Sequence, residues 1–212
     1  MLLSVEESVR TRYRSGVTAS AEVRLQREMT HDADTFEPSA DELIAHNRDF
    51  ADTFADHDLQ VSPTRNLAVV ACMDSRMDIF KLLGLGNGEA HIIRNAGGVI
   101  TDDVIRSLCL SQRRLGTREI VLVHHTDCGL ENLREDEFRD EVFEELGVKP
   151  RWLIEAFSDP YVDVQQSIQR LEITPFISYK ELIRGFVYDV TTGRLQEVER
   201  STTDGKGRVT PL

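Results

Sequence analysis

Two short, unbroken apolar runs each end in a side chain that binds metals. Leu67-Ala-Val-Val-Ala-Cys72 ends in a thiol, and Glu119-Ile-Val-Leu-Val-His-His125 ends in an imidazole. Apolar runs of this length that do not alternate with polar positions predict strands buried on both faces. Ala90-His-Ile-Ile-Arg94 and Gly185-Phe-Val-Tyr-Asp-Val190 read the same way. Helical patterns lie between them. Asp102 to Leu115 gathers Val104, Ile105, Leu108, Cys109 and Leu115 on one side and stops at Gly116. Glu135–Leu146 and Tyr161–Leu171 are further helices, and Ser39 and Glu42 stand in capping-box spacing ahead of a helix carrying Leu43, Ile44, Phe50 and Phe54. The alternation predicts an α/β fold with a central, mostly parallel sheet flanked by helices on both faces. Thr191-Thr-Gly-Arg194 reads as a tight turn into Leu195-Gln-Glu-Val198, so the last strand returns antiparallel.

In an open parallel sheet, ligands gather at the carboxyl ends of the strands. Cys72 and His125 both stand there, and the turn His125-Thr-Asp-Cys128 brings Cys128 back beside His125. Two thiols and an imidazole suit Zn2+. Three protein ligands leave one position open for water, which is the habit of catalytic zinc; structural zinc is closed by four. Asp74, with Arg76 as its partner, puts an acid–base group next to the first ligand. The loop after the second strand contains Gly97 and Gly98, which permit positive φ and a close backbone approach to a small substrate. The remaining candidates read as structural. Cys109 is a small core residue. His124 points the opposite way from His125 and is packed and hydrogen-bonded. His91 lies inside a strand. The acidic stretch Glu131–Glu145 is interleaved with Arg134 and Arg139 and reads as a solvated helix face.

The chain's 212 residues, 40% hydrophobic and 29% charged, suffice for one domain with a real core. A formal net charge of −12 argues against a nucleic-acid partner and against an anionic membrane surface. No apolar run approaches the ~20 residues of a membrane span. Three cysteines without small-domain spacing are not a disulfide framework and suit a cytoplasmic setting. The apolar stretch at the N-terminus is too short for a secretory signal, and Met29 is a candidate start. The organisation expected is an extension over 1–38, either disordered or a dimer arm, a single zinc-containing domain over 39–200, and a polar tail over 201–212.

Three segments together resemble β-class carbonic anhydrases, most closely the compact prokaryotic branch. They are Ala71-Cys72-Met-Asp74-Ser75-Arg76, the stretch from Ala90 through Arg94-Asn95-Ala-Gly97-Gly98 to Leu108, and His124-His125-Thr-Asp-Cys128-Gly129. The similarity covers roughly residues 39–199. It implies Cys72, His125 and Cys128 as zinc ligands, Asp74 and Arg76 as a gating and orienting dyad, and a homodimer or dimer of dimers with the site near the subunit interface. The activity implied is reversible hydration of CO2 to bicarbonate and a proton, by attack of zinc-bound hydroxide on CO2.

Two other readings compete. The same scaffold suits hydrolysis of another heterocumulene, CS2 or COS. A permanently closed Cys-His-Cys-Asp site would instead make a non-catalytic, zinc-stabilised binding protein, although such a site has no need of Arg76.

Overall fold

The computed structural model describes residues 37–200, together with 202–203 and 209–210. The described residues divide into two compact units, one before and one after the boundary between Ala55 and Asp56. The described part of the first is helix α1 (Ala40–Asp52) and its flanks. Ser39 is its N-cap, but the capping-box hydrogen bond expected from the sequence is absent. With ψ near 0°, Ser39 lacks the extended conformation that aims a cap hydroxyl at the first turn. Leu43, Ile44 and Phe50 of α1 are exposed.

The second unit is built on a five-stranded sheet in the order β2-β1-β3-β4-β5. Its strands are β1 (Leu67–Cys72), β2 (Ala90–Asn95), β3 (Glu119–His125), β4 (Leu182–Tyr188) and β5 (Leu195–Val198). The first four are parallel and β5 is antiparallel to β4. All six residues of β1 are buried, as its unbroken apolar run requires, because this central strand is covered on both faces of the sheet. β2 lies at the sheet's edge and is only partly buried. β4 begins three residues earlier than its apolar pattern suggests, pairing Leu182 with Glu119. It alternates between exposed and buried positions, so periodicity alone misplaces its start. It ends where the Asp189 carboxylate accepts from the backbone N–H of Thr191 and Thr192 and from the Thr191 hydroxyl, turning the chain into β5.

The helices of this unit are α2 (Ile79–Leu83), α3 (Asp102–Leu115), α4 (Glu135–Leu146) and α5 (Pro160–Ile173). α3 is capped by the Thr101 hydroxyl, carries Asp102 and Asp103 in its first turn and Arg113 and Arg114 in its last, and ends at Gly116 in the left-handed region. α5 starts at Pro160, with the Asp159 carboxylate accepting from Tyr161 and Val162. Both long helices sit on one face of the sheet. There Val104, Leu108, Val164, Ile168 and Leu171 meet Ala68, Val70, Ile120, Leu122 and Ile183. The other face packs Leu67, Val69, Ala71 and Val123 against Met77, Ile79, Val99 and Phe157, so one short helix and loop residues cover it. Cys109 is half-buried rather than core, because Val104, Leu108 and Ser111 form the inward stripe of α3. α4 has no buried residue, in line with a solvated acidic face. Thr202–Thr203 (β6) pairs antiparallel with Val209–Thr210 (β7). The rest of the tail, and the N-terminal extension through residue 36, lie outside the described residues.

Candidate metal centre

The adjacent strands β1 and β3 end side by side, and their last residues face the same space. Cys72 is the last residue of β1 and His125 the last of β3. Beyond His125 the chain is pinned to β4: Thr126 N–H donates to the Tyr188 carbonyl, and the Thr126 hydroxyl accepts from Val190 N–H. Asp127 then takes a left-handed backbone, φ 56°, which turns Cys128 back toward the strand ends. The donor atoms of Cys72, His125 and Cys128 all lie within 4.8 Å of one another, and all three residues are buried.

The donor set fits a metal ion on three counts. The two sulfurs are 4.0 Å apart, against roughly 3.8 Å for two thiolates at 2.3 Å on a tetrahedral ion. His125 Nδ1 lies 2.9 Å from the Thr126 carbonyl, an acceptor only, so this nitrogen carries the proton and Nε2 keeps its lone pair. His125 Nε2 is fully buried and has no hydrogen-bond partner. A buried orphan acceptor facing two thiols is costly unless a cation satisfies it. The Cys128 S–H holds the Cys72 thiol well below the usual thiol range, and sharing that proton pushes Cys128 up. One proton leaves the pair readily; the second needs a positive charge beside it.

Asp74 stands next to this cluster, its Oδ2 3.7 Å from His125 Nε2. Arg76 holds it away from the donors with a two-pronged grip: Nε donates to Oδ1 at 3.0 Å and Nη2 to Oδ2 at 2.8 Å. The Arg76 backbone N–H adds a third bond to Oδ1 at 2.8 Å. These bonds lower the Asp74 pKa to about 2, so the carboxylate is charged throughout the neutral range.

Two further residues organise the same loops, and neither stands out in the sequence. Arg94 on β2 donates to the carbonyls of Cys72 (2.8 Å) and Asp74 (2.7 Å), fixing the turn that carries both side chains. Asp127 accepts from Arg76 Nη1 through its carboxylate and from Nη2 through its carbonyl, both at 2.8 Å. The one available signal was a charged residue closing an apolar strand, in the case of Arg94. Gly97 and Gly98 both have positive φ and are buried. A Cβ on Gly98 would lie 2.8 Å from the Cys72 backbone nitrogen, so its close approach is to the peptide that carries the first donor. Gly97 packs under Leu130 and Phe157. His124 is buried on the opposite face, 2.6 Å from Asp163 Oδ2, and His91 bonds Ser111, both structural as expected.

A family model described as carbonic anhydrase matches residues 67–153, a span that includes all three donors and Asp74. β-Carbonic anhydrase 1 of Mycobacterium tuberculosis is 50% identical over 158 residues, covering 74% of this chain and 96% of that protein. The crystal structure of carbonic anhydrase from Streptococcus mutans superposes with a TM-score of 0.72 at 40% identity, covering 78% of this chain and 100% of the other. A carbon disulfide hydrolase of Acidithiobacillus thiooxidans is 33% identical over 153 residues, covering 62% of this chain and 76% of its own. With half of the 158 aligned residues identical, across nearly the whole length of the mycobacterial enzyme, the chain belongs to the β-carbonic anhydrase family.

Proposed function

We propose that this protein is a carbonic anhydrase that reversibly hydrates CO2 to bicarbonate and a proton, with Zn2+ held by Cys72, His125 and Cys128. The observation that carries the reading is the placement of Asp74: charged, beside a three-donor cluster, and held off it by Arg76. Zinc bound by three protein ligands supplies, at its open position, a water acidified toward neutrality.

The chain's own residues supply the rest. The Asp74 carboxylate accepts a hydrogen bond from the attacking water and aims its lone pair at the carbon of CO2. Arg76 keeps that carboxylate ionised and turned away from the three residues that would hold the metal. Gly97 and Gly98 border the substrate space, Gly98 by letting the turn after β2 close on the Cys72 peptide. CO2 is neutral, so a net charge of −12 does not impede its approach and favours departure of the anionic product.

The protein works as a homodimer in the cytoplasm. Exposed apolar side chains support self-association: Leu43, Ile44 and Phe50 on α1, and separately Leu146, Val148, Trp152 and Leu153 in and after α4. Two thiol ligands that must stay reduced suit the cytoplasm. Among the described residues, no helix is long and apolar enough to cross a membrane.

The test is stopped-flow CO2 hydration at about pH 8.5 on zinc-loaded protein. Hydration that disappears in Cys72→Ser supports the reading; bound zinc without hydration overturns it. A second substrate class is favoured by one finding, the 33% identity to a carbon disulfide hydrolase. Release of hydrogen sulfide from CS2 by the same preparation would establish it.

A further inference from the structure

Arg76 holds Asp74, yet Arg76 is itself 44% exposed and shares a loop with that carboxylate. A pair two residues apart on one turn can move as a unit. What ties it to the rest of the centre is Asp127, on the other ligand loop. Four of the five N–H groups of the guanidinium are engaged, and they divide evenly between the loops: Nε and one N–H of Nη2 go to Asp74, while Nη1 and the other N–H of Nη2 go to Asp127. The guanidinium plane is thereby fixed at both ends. Asp127 lies between two donors, His125 and Cys128, so its backbone is part of the metal-binding turn. Its φ of 56° is one that Asp and Asn adopt at little cost, so the residue suits the turn and the clasp together.

We propose that Asp127 is a positioning residue: by anchoring Arg76 to the His125–Cys128 turn, it keeps the guanidinium across Asp74 and prevents the carboxylate from turning onto the metal. This rests on the role given to Asp74 and Arg76 above. Asp127 touches no reacting atom and acts only through Arg76.

The test uses zinc-loaded full-length protein with Asp127→Gly, which tolerates the left-handed backbone and keeps the carbonyl contact, and Asp127→Asn, which keeps an acceptor without the charge. Hydrogen exchange of the Arg76 side-chain Nε–H, followed by NMR, is expected to be faster in Asp127→Gly than in the parent, with Asp127→Asn between them. The kcat for CO2 hydration should fall about three- to tenfold in Asp127→Gly with KM nearly unchanged, and Asp127→Asn should recover part of it. Zinc content and thermal midpoint should match the parent. In an Asp74→Ala background, Asp127→Gly should cost nothing further. Unchanged Arg76 exchange and kcat in Asp127→Gly would overturn the proposal, as would a full additional loss in the Asp74→Ala background. Full activity in Asp74→Ala alone would identify a different failure, that of the dyad itself, and would remove Asp127's role with it. Should Asp127→Gly not fold, Asp127→Asn carries the same comparisons.

Discussion

His124 and His125 share a peptide bond and serve opposite faces of the sheet. His124 lies 2.6 Å from the Asp163 carboxylate of α5, while His125 directs a free Nε2 toward two thiols. Substituting either should therefore damage a different property. His125→Ala is expected to lose the metal and keep its secondary structure. His124→Ala should keep the metal but lose about 2–3 kcal/mol, because Asp163 is left without its partner against a buried cavity. Urea unfolding paired with metal analysis separates the two.

Asp74 contributes no donor to the cluster; its proposed part is to accept a hydrogen bond in the reaction. Asp74→Ala should retain stoichiometric zinc while turnover falls about a hundredfold or more. Single-turnover CO2 hydration beside zinc quantitation checks this, and a fully active variant would contradict it.

Arg94 acts at one remove, through the carbonyls of Cys72 and Asp74. Arg94→Met, which keeps an unbranched stem but no hydrogen-bond donor, should weaken zinc affinity about 10- to 100-fold by releasing that turn. Competition against a chromophoric chelator would measure it. Lysine should restore only part, since it cannot span both carbonyls with a rigid fork.

Two glycines separate packing of the fold from support of the centre. A Cβ on Gly185 would overlap Val164 and press Ile168, where α5 crosses β4. Gly185→Ala should cost about 1–3 kcal/mol and leave zinc binding intact. Gly98→Ala would push against the Cys72 peptide from a positive φ. It should lose zinc affinity as well as stability, a difference visible when thermal melts are run with and without chelator.

Acid should unfold the protein through carboxylates outside the centre. Hydrogen bonds from Thr191 lower the Asp189 pKa to about 2. Arg184 lowers that of Glu197, and the Gly86 N–H, then Arg65, lower that of Glu89. Each group binds its proton less readily folded than unfolded. Their stabilisation is complete above the unfolded values near 4 and is lost as pH falls below them, for Asp189 through about 2. Urea midpoints measured in that acid range should therefore rise with pH, and Asp189→Asn should flatten the rise.

Much of this was legible because burial leaves a mark on composition. β1 and β3 are enclosed by neighbours, so their apolar runs have the bounds of the strands themselves. α3 was equally plain, with apolar periodicity ending at Gly116. β4 was harder, since half of its positions face outward and Leu182 is exposed. α2 escaped notice because five residues are too few to show a period, although Asp78 and Gly84 mark its ends. The donors could be read from their places at strand ends. The grips of Arg94 and Asp127 could not, because they join loops far apart in sequence through backbone carbonyls that carry no residue code.

The spacing of the donors has a mechanical side. Cys72 and Cys128 stand 56 residues apart, one ending β1 and the other in the turn just beyond β3, two parallel strands that no short turn connects. An ion bound by both closes that loop as a crosslink would and makes part of the unfolded ensemble inaccessible. The centre is thus also a clasp: stripping the metal should loosen the mouth of the sheet before it touches the far ends of the same strands.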